Sequence, residues 1–353
     1  MKILLVGEFS GLHTNLKEGL VELGCEVQII SSGDGWKKFD SDRLLSPHRG
    51  IFARIKNRVH DFRVLSNISG YDVVQFISPF MMIPTIFPRL WILKRIIKRN
   101  KLVTLVAAGG DSYFWRNGPN NLKYGPFDDA DKYDDTNFIN YLRNEETFAF
   151  NKKFAKLVHK VIPIMHEYEC SYKGQYNLTS VIPLPMNVNK IEYFENKPTD
   201  RLVVMHGLNR YGFKGTHYVE EAFDYLNEKY PNELELIIDG KMPIEEYLKL
   251  MKRTNVVIDQ INSHSLGMNG VYALAMGKVV VGGAEPESLD CIGADHSPVI
   301  NVKPDTNDLI RIIEKLLNEK DKIQDMGINS RKYAVKFHSH RTIAEKYLGE
   351  WLK

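Results

Sequence analysis

Short β-branched and aliphatic runs alternate with amphipathic segments along the whole chain, and this alternation leaves few folds open. KILLVGEF (2–9) reads as a buried strand, and the segment 13–23 as a helix with Leu16, Leu20 and Leu23 on one side. Gly24 ends that helix and EVQIIS (26–31) is the next strand. Strands are expected again at 71–78, 101–108 and 160–165, with helices between them, and SVIPLPM (180–186) closes the first half. After the polar linker 189–200 the pattern restarts: strand 201–207, helix 217–230, strand 233–239, helix 243–254, strand 255–260, a short helix 270–276 and strand 278–283. Helices near 305–319 and 321–337 and a separate segment at 340–352 finish the chain. Strand–helix–strand order of this kind builds parallel sheets with helices on both faces. The expectation is α/β: two doubly wound, Rossmann-like domains, 1–190 and 201–338, facing one another across a cleft at the carboxyl edges of their sheets. The final segment, 340–353, is expected to pack back on the first domain. A chain of 353 residues suits two cores.

Composition excludes several classes. Charged residues at 26% and hydrophobic residues at 43% are globular values, not those of a disordered chain. Cys25, Cys170 and Cys291 are too few and too far apart for a disulfide framework or a thiolate metal site, which points to a reducing compartment. The opening MKILLVGEF lacks the features of a signal peptide. The most apolar stretch, Phe76 to Phe87, is interrupted by Pro79 and Pro84 and is too short to span a bilayer. A soluble, cytoplasmic protein is expected.

The net charge of +3 is unevenly spread: residues 1–110 hold 16 Lys and Arg against 9 Asp and Glu, the remainder 31 against 35. Two basic segments carry most of the excess, Arg49–Arg63 with Phe52, Ile55 and Val59 interleaved, and Arg89–Arg99. Each is either a packing helix with a solvated basic face or a surface for an anionic membrane leaflet. No nucleic-acid-binding motif accompanies the charge, so nucleic acid is not an expected partner.

The loops at the expected carboxyl edges carry the chemistry. Gly7, Ser10 and Gly11 lie between the first strand and helix, where a tight turn or a phosphate- or acceptor-contacting loop would sit. That loop lacks the G-x-G-x-x-G of a dinucleotide site, which disfavours a nicotinamide enzyme. In the second half, His206-Gly207-Leu208-Asn209-Arg210-Tyr211-Gly212-Phe213-Lys214-Gly215 leads from a strand into a helix. Arg210 offers a fork and Lys214 a point charge to a diphosphate; solvated side chains are the alternative. Further on, Ser263-His264-Ser265-Leu266-Gly267-Met268-Asn269-Gly270 opens a short helix, and its free N–H groups near Asn269 and Gly270 form a second anion-friendly element.

The order strand–HGxxRxxxKG–helix, followed by DQ…SxGMNG leading into ALAMGKVVV, resembles family 4 glycosyltransferases of the GT-B fold. The resemblance implies transfer of a sugar, usually with retention, from a nucleotide-sugar to a glycan or lipid-linked acceptor, as in bacterial surface polysaccharide synthesis. It implies that Arg210 and Lys214 hold the donor diphosphate, with Gly207, Asn269 and Gly270 beside the donor. Where the family places two glutamates eight residues apart, this chain has His264 and Tyr272. That departure keeps a second class open, a non-catalytic nucleotide- or sugar-binding protein. Gly109-Gly110-Asp111 resembles the family's H-G-x-D loop, so Asp111 is either a catalytic carboxylate that orients or deprotonates an acceptor hydroxyl or a cap of a helix or turn. His13 is either a second catalytic residue, meeting acceptor or leaving-group phosphate, or a surface or capping histidine. Glu287 either contacts donor or caps the next helix. No D-x-D pair lies in a suitable loop and no ligand-spaced His/Asp cluster is evident, so neither a metal nor a cofactor is expected, and Asp128-Asp129-Ala130-Asp131 reads as a solvated lid.

Overall fold

The computed structural model describes residues 1–33, 39–79, 89–240 and 244–353. Asp34 and the part of the apolar stretch from Phe80 to Phe87 lie outside the described residues. The first elements are β1 (Lys2–Val6), α1 (Leu12–Glu22), β2 (Glu26–Ser31), β3 (Arg43–Leu44), α2 (Ala53–Ser66), β4 (Val73–Ile77) and α3 (Arg89–Arg99). There follow β5 (Leu102–Ala107), α4 (Ser112–Asn121), α5 (Phe127–Tyr133), α6 (Thr136–Arg143), α7 (Glu145–Leu157), β6 (Lys160–Pro163) and α8 (His166–Ser171). The second alternation is β7 (Leu202–Gly207), α9 (Tyr211–Lys214), α10 (Thr216–Lys229), β8 (Leu234–Asp239), α11 (Ile244–Arg253), β9 (Val256–Ile258) and α12 (Met268–Ala275). It closes with β10 (Val279–Gly282), α13 (Pro286–Ile292), β11 (Ile300–Asn301), α14 (Thr306–Asn318), α15 (Ile323–His338) and α16 (His340–Leu352).

All strand pairs are parallel. The first sheet runs β3-β2-β1-β4-β5-β6 and the second β11-β10-β9-β7-β8. Both are doubly wound orders, and each has one point where successive crossovers leave in opposite directions: between β1 and β4, and between β7 and β9. Loops at the carboxyl ends of such strand pairs are splayed apart, which is where open parallel sheets bind ligands. The expected α/β class with two Rossmann-like sheets is therefore what the chain forms.

Two compact units result: Met1–Gly118, Tyr141–Asn187 and His340–Lys353 in the first, Pro119–Asn140 and Val188–Ser339 in the second. The final helix does return to the first unit. There α16 lies against α1, and its Ile343, Ala344, Tyr347 and Trp351 are buried; removing a side chain the size of Ile343 from water contributes about 1.5–3 kcal/mol. Gly19 permits the approach, since a Cβ there would stand 2.2 Å from the His340 carbonyl oxygen. The second core gathers aliphatic side chains of β7, β9 and β10 with Val219, Phe223 and Leu226 of α10 and Leu309, Ile313 and Leu316 of α14. The strands expected over 26–31 and 201–207 are found within a residue. Over 112–157 four helices follow one another, a region for which the strand pattern gave no boundaries, and 180–186 forms no strand.

Candidate functional site

In the second unit the β7–α9 loop, the β9–α12 loop and the β10–α13 loop gather at the carboxyl edge. Lys214 ends the one-turn helix α9, yet its side chain is 5% exposed. Its Nζ donates to the Gly207 carbonyl at 2.8 Å and lies 4.0 Å from the Asp259 carboxylate, itself 1% exposed. The other Asp259 oxygen accepts from Gly267 N at 2.7 Å and so caps the start of α12. Gly270 is required by this carboxylate, because a Cβ there would fall 2.7 Å from Asp259 Oδ2. Position 207 is open on the other side: a Cβ on Gly207 would be 3.8 Å from Lys214 Nζ and 3.6 Å from Asn269 Nδ2. Asn269 is oriented by Tyr247, whose hydroxyl donates to its Oδ1 at 2.7 Å, and the Tyr247 and Tyr272 rings are 6.2 Å apart. Gly207, Lys214, Asn269 and Gly270 thus converge at the point where the strand order reverses. Arg210 is exposed, with its guanidinium 3.6 Å above the Phe213 ring.

Behind them, His206 is wholly buried, with its two ring nitrogens facing Ile258 O at 3.1 Å and Thr216 Oγ1 at 3.0 Å. Burial, with the neighbouring Lys214 charge, pushes its pKa down to about 3, so it stays neutral and fixes the end of β7.

The segment 119–140 is the element that sequence reasoning missed. Instead of a solvated loop it is docked along the same edge of the second unit. The Asp134 carboxylate accepts from Gly212 N at 3.0 Å and Phe213 N at 2.7 Å. Asn262 donates to Asp129 at 2.7 Å, and a Cβ on Gly212 would meet the Asp129 carbonyl oxygen at 2.2 Å. Tyr124 stacks on His264 with ring centroids 4.2 Å apart and donates to Glu285 at 2.9 Å, while Lys123 pairs with Glu287. His264, 1% exposed, therefore presents a covered ring, and Glu287 in the first turn of α13 is engaged by a lysine. Asp259 ends the apolar run NVVID at a strand's carboxyl edge, a legible signal; nothing local marks Asp134 or Tyr124, whose partners are 78 or more residues away.

In the first unit the β1–α1 loop uses left-handed backbone at Gly7, Ser10 and Gly11. Its helix N-terminus is filled from within: Glu8, 2% exposed, accepts from His13 N and Thr14 N at 3.3 and 2.8 Å. His13 is fully buried, its ring nitrogens on Gly7 O at 2.7 Å and on Gln75 at 3.3 Å, and burial lowers its pKa to about 4. Asp111 caps α4 by accepting from Phe114 N at 3.0 Å, and its second oxygen accepts from Tyr172. Complete burial raises its carboxyl to about 6, against the lowering pull of Tyr172 and the α4 amides.

These shifts give the two units different pH responses. His206 binds its proton only near pH 3, whereas the unfolded chain takes it near 6.5. The second unit should therefore lose about 1.4 kcal/mol per pH unit as pH falls below 6.5. In the first unit His13 acts in the same direction. Asp111 opposes it between about pH 6 and 4, because its native state holds the proton there more tightly than the unfolded state. All four tryptophans, Trp36, Trp91, Trp115 and Trp351, fall within the sequence ranges of the first unit. At fixed urea, acidification from pH 7 to 5 should therefore reduce far-UV circular dichroism before tryptophan fluorescence changes. Coincident transitions would contradict the assignment.

No family model matches the chain. No curated protein matches it in sequence. Solved structures do match in fold. A sucrose-phosphate synthase from Thermosynechococcus elongatus aligns over 99% of this chain and 98% of its own, with TM-score 0.66 and 16% identity. HepE of Anabaena in complex with UDP and glucose aligns over 99% of both chains, with TM-score 0.63 and 13% identity. A UDP-GlcNAc 2-epimerase from Neisseria meningitidis bound to UDP-GlcNAc aligns over the whole of both, with TM-score 0.53 and 12% identity. At these identities the likeness is one of fold, and the chain has the two Rossmann-like units of the GT-B architecture. Among the described residues no helix is long and apolar enough to cross a membrane.

Proposed function

We propose that the protein is a glycosyltransferase related to family 4, moving a sugar with retention from a nucleotide-sugar to a glycan or lipid-linked acceptor. The observation that carries this reading is the buried ammonium of Lys214, held beside Gly207 and Asn269 at the carboxyl edge where the strand order reverses. A buried cation at that edge suits a departing diphosphate, and exposed Arg210 on the same loop adds a guanidinium fork suited to phosphate oxygens. The UDP-glucose and UDP-GlcNAc bound by proteins of the same fold support a nucleotide-sugar as the ligand class. Asn269 and Tyr272 would meet sugar or ribose, with Tyr272 taking the place of the glutamate usual in the family. With both oxygens of Asp111 and both ring nitrogens of His13 engaged, we assign these residues to positioning their loops rather than to proton transfer. His264 and Glu287 would act at one remove, through Tyr124 and Lys123.

In this reading Arg210, Lys214 and the start of α12 neutralise the leaving group, so turnover should survive chelation of divalent cations. A binding protein without turnover is the second reading, favoured by the stacked His264 and by Tyr272. Calorimetry against UDP-, GDP- and ADP-sugars, followed by a donor-hydrolysis assay, separates the two. The Arg210→Ala/Lys214→Ala double variant should lose at least a hundredfold in nucleotide affinity, and unchanged affinity would move the diphosphate elsewhere. Binding without hydrolysis or transfer across a broad acceptor panel would favour the second reading.

A further inference from the structure

The two basic segments of the first unit, 49–63 and 89–99, sit in different surroundings. In α3, Arg95 and Arg99 donate to the Ser66 carbonyl at 2.9 and 3.4 Å and so close the C-terminus of α2, while Ile92, Leu93 and Ile96 are buried. That segment is a packing helix whose end cations are in use. The approach to α2 and its first turns are different. Ile51 is 95% exposed, Phe52 68% and Ile55 64%, and no residue from 46 to 60 is buried. The first buried positions on α2 are Asp61, which accepts from Ser46 N at 2.7 Å, and Leu65. Between Asp42 and Asp61 there is no acidic residue, whereas Arg43, Arg49, Arg54, Lys56 and Arg58 all fall there.

Three large apolar side chains left in water at the acid-free, cationic start of α2 are unfavourable for an isolated soluble protein. A protein partner of ordinary composition would answer the apolar part alone. A surface offering both hydrocarbon and dense negative charge answers the apolar tip and the cations together. We propose that the 49–60 segment docks on an anionic phospholipid bilayer, with Ile51, Phe52 and Ile55 entering the headgroup–acyl boundary and Arg49, Arg54 and Lys56 lying at phosphate level. The placement goes beyond the transfer reading and does not depend on it.

The test uses the full chain and vesicle co-sedimentation at 100 mM salt, without any activity assay. Binding is expected to vesicles of phosphatidylcholine with 30% phosphatidylglycerol and not to phosphatidylcholine alone. It should fall at least tenfold in Ile51→Ser/Phe52→Ser/Ile55→Ser, and at least tenfold in Arg49→Glu/Arg54→Glu/Lys56→Glu. All six side chains project from the surface or lie at its edge, and an unchanged circular dichroism melt verifies that each variant is folded. In Phe52→Trp, emission should shift to shorter wavelength on anionic vesicles only. Failure of the wild-type chain to sediment with anionic vesicles overturns the proposal. So does an apolar triple variant that binds as well as wild type, or retention on duplex DNA in preference to the vesicles.

Discussion

Replacing Lys214 by methionine should impair the second unit twice, in stability and in ligand affinity. Methionine keeps an apolar stem in the buried channel but carries no ammonium. The Gly207 carbonyl then loses its 2.8 Å donor, and Asp259, almost fully buried, loses the cation 4.0 Å away. Breaking a buried pair from one side leaves an uncompensated charge. At this separation the loss should be about 2–4 kcal/mol, at the lower end of what such pairs show. The tryptophans allow a clean assay, since the urea midpoint followed by fluorescence should not move while that followed by circular dichroism falls. Turnover should drop by about 10²–10³, the range found for removal of one preorganised charge-stabilising donor. Arg210→Ala is the control: being exposed, it should weaken nucleotide binding and leave both midpoints unchanged. A Lys214→Met chain with normal stability and normal nucleotide affinity would remove the basis of the proposed site.

Gly212→Ala should detach the docked segment. The added methyl group would sit 2.2 Å from the Asp129 carbonyl oxygen and 2.9 Å from Ala130 Cα. Both are backbone atoms, so the clash cannot be relieved by a rotamer change, and α5 must move away from α9. Overpacking of this kind costs about 1–3 kcal/mol. Because Asp134 holds Gly212 N and Phe213 N, the same movement loosens the loop that carries Arg210 and Lys214. Limited proteolysis should become faster between residues 119 and 140, and nucleotide affinity should fall about tenfold. Asp134→Asn, which removes the charge and keeps an acceptor oxygen, should show a smaller version of both effects. If Gly212→Ala resists protease like the wild type, the segment does not position the loop.

The candidate site was legible in the sequence where chemistry and periodicity coincide. Arg210 and Lys214 stand four apart after a strand, and Gly267 and Gly270 open a helix; both features follow from a local pattern that needs only the next element to interpret. The roles inside that pattern were not legible. Gly270 looked like a place for a ligand, yet it makes room for Asp259. Gly7, Ser10 and Gly11 fit a tight turn and a phosphate- or acceptor-contacting loop equally well in sequence, and only the fold shows Glu8 taking amides of the following helix. Glycine reports that something comes close, and only the three-dimensional neighbours say what.

Period and order by themselves determined the two parallel α/β sheets, the restart after residue 200, and the long terminal helices, because strand and helix periodicities are properties of neighbouring residues along the chain. Tertiary structure decided that residues 119–140 belong with the second unit, that Tyr124 covers His264, and that the basic excess splits into a packing helix whose arginines close the end of α2 and an exposed tip at the start of α2. Those outcomes rest on side chains that meet across tens to more than a hundred residues of chain, where burial and shape choose the partner and local propensity carries no information.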